Sequence, residues 1–311
     1  MRVLVIGSGS IGRRHSDNLA SLGAEVTTLS WREAGLSGAL SAMDSAQAVV
    51  VATATDVRLP LIGAAAARGL PMYVEKPLGF APEEVEAIAA VADPVADRSM
   101  LGYMMRYHPA LRALAAMDLS DVFQFALTIG HDVTQWRADW RFSDSYAARA
   151  AGGGVLLDLC HELDMALCLF PGLEVTKVES LGHAAFPGVD FASRISLRRQ
   201  SLVGDVSMDY LTPGLHRRAH LRGTERMQDF DFASQVYRVT DGAGAQNLDL
   251  PLERNAMFMA AARDFLALAF GGESSGNPLM PRLDRCLASA RLVAQAWAAR
   301  EFVGEITKEI P

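Results

Sequence analysis

Short apolar runs alternate with helix-length patterns over the first hundred residues. RVLVI is followed by a helical pattern over about Ile11–Leu22, then by EVTTL, AVVVA, a helical LPLIGAAAARG and PMYV. Strand-length runs separated by segments of 3.6-residue period predict βαβ units, and therefore a parallel sheet. A helix over PEEVEAIAAVA and a strand-like MLGYMM carry the pattern to about residue 106. The connection between EVTTL and AVVVA is short, so a reduced or missing crossover is expected there.

From about Asp121 the period changes. DVFQFALTIG, KVESLGHAA, DFASRISLRR, LVGDVSMDYL and HRRAHLRG read as consecutive strands joined by tight turns. They predict a largely antiparallel sheet, with a helix over GGGVLLDLCHELD inserted after its first strand. Two helices, roughly 254–269 and 282–300, close the chain, and SSGNP breaks the pattern between them. The fold class is α/β: a doubly wound parallel sheet in residues 1–115, then an α+β domain in residues 116–311. The last helix is free to pack back on the first domain.

Composition narrows the function. At 311 residues the chain suits two cores, and 50% apolar with 21% charged residues describes a soluble globular protein. No apolar run reaches the roughly 18 residues that span a bilayer, and MRVLVIGSGS enters a strand rather than a signal peptide. These features predict no membrane partner. A net charge of −7 argues against a nucleic-acid surface. Cys160, Cys168 and Cys286 have neither CxxC spacing nor an even count, which predicts a reducing cytoplasm. Among the 29 basic residues only Lys76, Lys177 and Lys308 are lysines.

GSGSIG, Gly7 to Gly12, follows a strand and opens a helix. In that context Gly7, Gly9 and Gly12 permit a tight turn and close backbone approach. Ser10 and Ile11 start a helix whose free N–H groups suit a pyrophosphate. The acidic residue that grips a ribose 2′-hydroxyl is missing after EVTTL, where Ser30-Trp31-Arg32-Glu33 stands instead. A hydroxyl at Ser30 and a forked guanidinium at Arg32 suit a 2′-phosphate and favour NADP. Glu33 leaves NAD open. In MYVEKPLG, Glu75-Lys76-Pro77 follows a β-run, and ligands of doubly wound sheets bind beyond the carboxyl ends of strands. Proline restricts the residue before it, so Lys76 is aimed, and its ammonium responds to burial as a guanidinium does not. The alternative is a solvated charge beside Glu75.

GSGSIGRRH, ATATD, VEKPLG, GYMMRYHPAL and GGGVLLDLCHELD occur here in the order found in the glucose–fructose oxidoreductase, inositol dehydrogenase and rhizopine-catabolism (Gfo/Idh/MocA) family, which the chain resembles. The resemblance covers the N-terminal domain and the second through about Phe170. It implies a Rossmann domain followed by an α+β domain with a large, mostly antiparallel open sheet, used for homo-oligomerisation as a dimer or tetramer. It implies an NAD(P)-dependent enzyme that moves hydride to or from a secondary alcohol of a sugar, cyclitol or sugar derivative. Thr53, Glu75 and Lys76 would then line the cofactor, and Lys76 would hydrogen-bond the reacting oxygen. Arg58 stands where a histidine often follows the ATxTD-like segment. Arg106 and Tyr107 match a segment near the active site of relatives, although a helix start also accounts for His108-Pro109.

On a helix of about 100° per residue, Leu156, Leu159, Leu163, Leu167 and Phe170 make one apolar stripe. His161 and Asp158 fall together on the opposite face, which predicts a polar side lining a cleft. Histidine suits the proton transfer that accompanies alcohol oxidation. By resemblance His161 is that acid–base and Asp158 orients substrate or tunes the histidine, while Asp164 matches a further aspartate on the substrate side or in the frame. Many members read D-x-G-x-H, whereas Asp158-Leu159-Cys160-His161 spaces the pair by three. The H-E-[LI]-D variant resembles a branch with some members associated with surface-sugar biosynthesis. Trp140 and Tyr146, in WRADWRFSDSYAAR, suit a sugar or an anionic substituent. A metal site at Asp158, His161 and Glu162 lacks HExxH-type spacing, so no metal is expected. A buried Cys160 and a packed, satisfied His161 are the structural alternatives. Two other activities stay open: a non-catalytic dinucleotide-binding regulator, and a glycosidase or epimerase using transient oxidation.

Overall fold

The computed structural model describes residues 1–136 and 141–310. The chain divides into two compact units, Met1–His108 with Glu253–Arg291, and Pro109–Leu252 with Leu292–Pro311. The boundary therefore falls before α5 (Pro109–Ala115), and a long C-terminal stretch returns to the first unit.

In the first unit, β1 (Arg2–Ile6), α1 (Ser10–Ser21), β2 (Glu25–Leu29), α2 (Trp31–Met43), β3 (Ala48–Val51), α3 (Arg58–Ala67), β4 (Met72–Val74), α4 (Pro82–Ala92) and β5 (Met100–Leu101) follow one another. The five strands form a parallel sheet in the order β2-β1-β3-β4-β5. β3 and β4 are buried along their whole length, as continuous apolar runs are when a parallel sheet is covered on both faces. The crossover expected to be reduced between β2 and β3 is a helix, α2. Gly35, at φ +57, kinks it, and only Ala39 and Met43 are buried, so the apolar periodicity that would betray it is weak. The helix α8 (Arg254–Phe270) packs on α1: Asn18 and Asn255 exchange side-chain amide bonds at 3.3 and 3.1 Å, and Arg14 lies 4.6 Å over the Phe258 ring.

The second unit holds β6 (Val122–Gly130), α6 (Val155–Asp158), α7 (His161–Leu169), β7 (Glu174–His183), β8 (Ala192–Arg199), β9 (Leu202–Asp209), β10 (His216–Gly223), β11 (Met227–Asp231), β12 (Val236–Asp241) and β13 (Gly244–Leu248). After α9 (Leu283–Ala298) the chain ends on β14 (Arg300–Ile306). Among the described residues the sheet has nine strands in the order β13-β12-β11-β10-β6-β9-β8-β7-β14, antiparallel except for β6–β9 and β14–β7. Three hairpin strands and the closing strand are additions to the expected set. β13 and β14 are exposed along almost every residue, so neither shows the apolar alternation of a half-buried strand. α6 and α7 cover one face, where Phe170 stacks on Phe125 at 5.0 Å between ring centres. Among the described residues no helix is long and apolar enough to cross a membrane.

The last of the three glycines before α6 makes room for a buried carboxylate. Asp190 accepts from the Leu156 N–H at 2.9 Å and from the Ser193 hydroxyl at 2.9 Å, and pairs with Arg300. Gly154 has φ +94, and a Cβ there would overlap Asp190 Oδ1. Arg300 lies 4.1 Å over the Trp297 ring, whose indole N–H donates to the Gly153 carbonyl at 3.3 Å. This node ties β14 to the start of α6. Asp190→Ala is expected to leave the Arg300 guanidinium buried without its carboxylate and to destabilise the protein by about 3–5 kcal/mol. A lowered midpoint in denaturant titration checks it.

Candidate active site

Parallel pairing sets one edge of the first unit. Leu29, Ile6, Val51, Val74 and Leu101 lie in register across the five strands. The next residues are bonded to their neighbours in turn: Gly7 N–H to Leu29, Ala52 to Ile6, Glu75 to Val51 and Gly102 to Val74, at 2.8–2.9 Å. Ser30, Gly7, Thr53, Glu75 and Lys76 are thereby brought to the same carboxyl edge of the sheet.

At that edge Gly7 has φ +123, and a Cβ on it would overlap the Ala52 carbonyl. A Cβ on Gly12 would overlap the Gly7 carbonyl, so the loop and α1 meet backbone to backbone. Gly9 caps α1 without a side-chain bond, and its first turn has no acidic residue. No acidic side chain therefore opposes the helix dipole at the start of α1. The Thr53 hydroxyl is buried and has no hydrogen-bond partner among the described residues. A cradle that side chains would fill and an orphaned hydroxyl beside it both fit a dinucleotide. Ser30 is the N-cap of α2, half-buried, and Arg32 and Glu33 lie exposed in its first turn.

Lys76 is half-buried at the end of β4, and its peptide bond to Pro77 is cis. Glu75, expected at the cofactor, is turned inward. Its carboxylate bonds the His15 ring at 2.7 Å and accepts from the Lys76 N–H at 3.2 Å. Burial pushes the Glu75 carboxyl up, but the His15 hydrogen bond and the charges of His15, Lys76 and Arg58 more than offset this and hold it below its ordinary value. Burial, and then the Glu75 charge, drives the Tyr73 phenol well above its usual range. Gly102 leaves room for the carboxylate: a Cβ there would lie 2.8 Å from Glu75 Oε2. Arg58 is buried beside the same turn and donates to the Thr53 carbonyl at 2.7 Å and to those of Glu75 and Pro77.

Arg106 and Tyr107, expected near substrate, are buried in the first unit. Arg106 donates to the Ser289 hydroxyl at 3.1 Å and its carbonyl accepts from Asn277 at 3.1 Å. The Tyr107 hydroxyl donates to Asp264 at 2.8 Å. Burial, then the Asp264 charge, drives that phenol far above its ordinary pKa.

In the second unit the expected single amphipathic helix is two, α6 and α7, parted at Leu159–Cys160. The constant angular step fails at that break. α7 is buried on nearly every side: Glu162, Leu163 and Asp164 are all inside, and His161 at its first position is 7% exposed. The polar face expected to line a cleft is therefore not an open one. Glu162 pairs with Arg217 through contacts of 2.6 and 3.3 Å, and the described residues hold no cluster of three or more His, Cys, Asp or Glu side chains placed to hold a metal ion. Asp158 accepts from the Tyr146 hydroxyl at 2.6 Å and from that of Tyr210 at 3.1 Å. Burial, then the Asp158 charge, raises the Tyr210 phenol well above its ordinary value. Tyr146 is 37% exposed, Cys160 is buried, and Trp140 lies outside the described residues. Tyr210, His15 and Arg217 carried no local signal in the sequence, because each meets its partner across more than 50 residues of chain.

A glycine cradle on a doubly wound sheet, followed by an open sheet, defines a two-unit α/β architecture. Residues 107–227 match the GFO/IDH/MocA C-terminal domain model. Rhizopine catabolism protein MocA of Rhizobium meliloti is 32% identical over 117 residues, which is 37% of this chain and 35% of MocA. UDP-N-acetylglucosamine 3-dehydrogenase of Acidithiobacillus ferrooxidans is 24% identical over 86% of this chain and 85% of its own length. Its crystal structure has a TM-score of 0.75 at 20% identity, covering 96% of this chain and 95% of that one. A levoglucosan dehydrogenase in complex with NADH and levoglucosan gives 0.77 at 20% identity over 96% and 95%. Over its second unit, and more distantly over most of its length, the chain is similar to oxidoreductases of the Gfo/Idh/MocA family.

Because the Glu75 carboxyl is held below its unfolded value, its stabilisation is complete above the ordinary carboxylate pKa, about 4.3, and is lost as pH falls through the lower folded value. Glu75→Gln is expected to lower Tm by roughly 5–10 °C above about pH 5. The gap from wild type should close in melts taken at successively lower pH.

Proposed function

We propose that this protein is an NAD(P)-dependent dehydrogenase or reductase acting on a secondary alcohol or ketone of a sugar, cyclitol or sugar derivative. The observation that supports it most is the register row, which delivers the glycine cradle, the Thr53 hydroxyl and Lys76 to one edge of one sheet. Gly7, Gly9 and Gly12 with the Ser10 and Ile11 N–H groups would hold the pyrophosphate, and Thr53 would border the cofactor. When bound, the nicotinamide accepts or supplies the hydride. Lys76 donates a hydrogen bond to the reacting oxygen and stabilises the charge that develops on it. His161 takes the hydroxyl proton in oxidation and returns it in reduction. The substrate class follows relatives named for UDP-N-acetylglucosamine and levoglucosan, and a neighbouring structure that holds L-sorbose.

NADP is the preferred cofactor, because Ser30 and Arg32 begin α2 immediately beyond β2 and a 2′-phosphate there would meet both a helix N-terminus and a guanidinium. Fluorescence titration should show NADPH binding at least about tenfold tighter than NADH, a preference that Arg32→Ala abolishes. With the substrate found in a polyol and ketosugar panel, Lys76→Met and His161→Asn should each lower kcat by about a hundredfold or more while leaving cofactor affinity near wild type.

The free thiols at Cys160, Cys168 and Cys286 support a reducing cytoplasm. We also propose a homodimer or homotetramer joined through the sheet face opposite α6 and α7, where Val203, Met227 and Val236 are exposed. Light scattering should return two or four chain masses, and Val203→Glu should lower that number.

A further inference from the structure

Lys76 stands on a turn fixed from below by one buried side chain. Arg58, the first residue of α3, is only 3% exposed although it carries a guanidinium. One terminal nitrogen, Nη1, donates to the carbonyls of both Glu75 and Pro77, the two residues that flank Lys76. The other, Nη2, donates to the Thr53 carbonyl at 2.7 Å, in the loop after the neighbouring strand β3. The Glu75 N–H is bonded to Val51 at 2.9 Å, and the Glu75 carboxylate holds both the Lys76 N–H and the His15 ring of α1. The lysine backbone is thus tied to the glycine-loop helix through Glu75, and to the β3 loop and the start of α3 through three hydrogen bonds that Arg58 donates.

We propose that Arg58 is a positioning residue for Lys76: its fork fixes the carbonyls on either side of the lysine and locks that turn to the Thr53 loop. The proposal rests on the reading of Lys76 as the group at the reacting oxygen. Planar geometry and permanent charge suit arginine to this task, since its donors are rigidly disposed and never withdrawn by titration. A histidine offers at most two donors on opposite sides of a ring, and so cannot reach three carbonyls. The consequence is kinetic. A misplacement of about 1 Å in a reacting group costs on the order of a hundredfold in rate, and it falls on kcat when the group acts in the transition state.

The chain's lysine content makes the test direct. With Lys76, Lys177 and Lys308 as the only lysines, trace acetylation of the full-length protein followed by peptide mass spectrometry reads each ε-amine separately, and Lys177 and Lys308 serve as internal references. Arg58→Met, checked for folding by circular dichroism, should change the Lys76 labelling rate relative to Lys177 by about threefold or more. An unchanged ratio in the folded variant overturns the proposal. Arg58→His keeps at most two donors and is expected to show a smaller change in the same direction. It carries the test by the same criterion if the methionine variant does not fold.

The second arm is a double-mutant cycle on turnover. Arg58→Met should lower kcat by about 10- to 100-fold with KM within about threefold. In the Lys76→Met background it should cause no further loss. An equal loss in both backgrounds means that Arg58 acts elsewhere, and the proposal fails. If no substrate is turned over at all, the dehydrogenase reading fails, while the labelling ratio still decides the role of Arg58.

Discussion

In-register parallel pairing governs everything at the nucleotide edge. Side chains on separate βα loops have no covalent reason to meet. Five strands whose last paired residues form a single row bring the next two residues of each to the same line. The glycines let backbone approach backbone there, and the buried Glu75 turns the strand end into a junction with α1 and α3. One carboxylate sits among the imidazole of His15, the ammonium of Lys76 and the guanidinium of Arg58. That is an expensive arrangement to bury unless the partners are held in place, and the backbone bonds around it hold them.

The second unit solves a similar problem by a different route. Its histidine lies at the start of the short α7 on a wide sheet, and the start of the preceding α6 is fixed by Asp190, whose oxygens serve a backbone N–H, a hydroxyl and Arg300 together. Glu162 and Asp158, which share the motif with His161, are each claimed by partners from the sheet: Arg217 for one, Tyr210 for the other. Glu162 and Asp158 of GGGVLLDLCHELD are therefore tolerated where the helices meet the sheet because residues far along the chain supply their counterparts.

Much of this architecture was legible in residue order. The βαβ period, the glycine cradle and the lysine at a strand end are local patterns, and the structure has each of them where the pattern put it. What escaped was set by contacts far along the chain. α2 carries two glycines and little apolar stripe, so it reads as a loop until tertiary packing stabilises it. β13 and β14 are exposed along most of their length, and exist because a neighbouring strand completes their hydrogen bonds. The split between α6 and α7 reverses an inference from periodicity, since a two-residue break resets the angular count. Arg58 was visible only as a departure from a family pattern, and its partners explain why a larger, forked cation is there.

The first unit is assembled from two stretches of chain, and that has a consequence for how it is made. Asn18 and Arg14 on α1 find their companions on α8, and the two asparagines are 237 residues apart. At a ribosomal pace of about 5–20 residues per second, roughly 10–50 s elapse between their emergence. For that interval the nascent first unit carries α1 without the helix that will cover it. A chain halted before Glu253 would release this half uncovered, whereas the sheet of the second unit would lack only β14, its last strand to be synthesised.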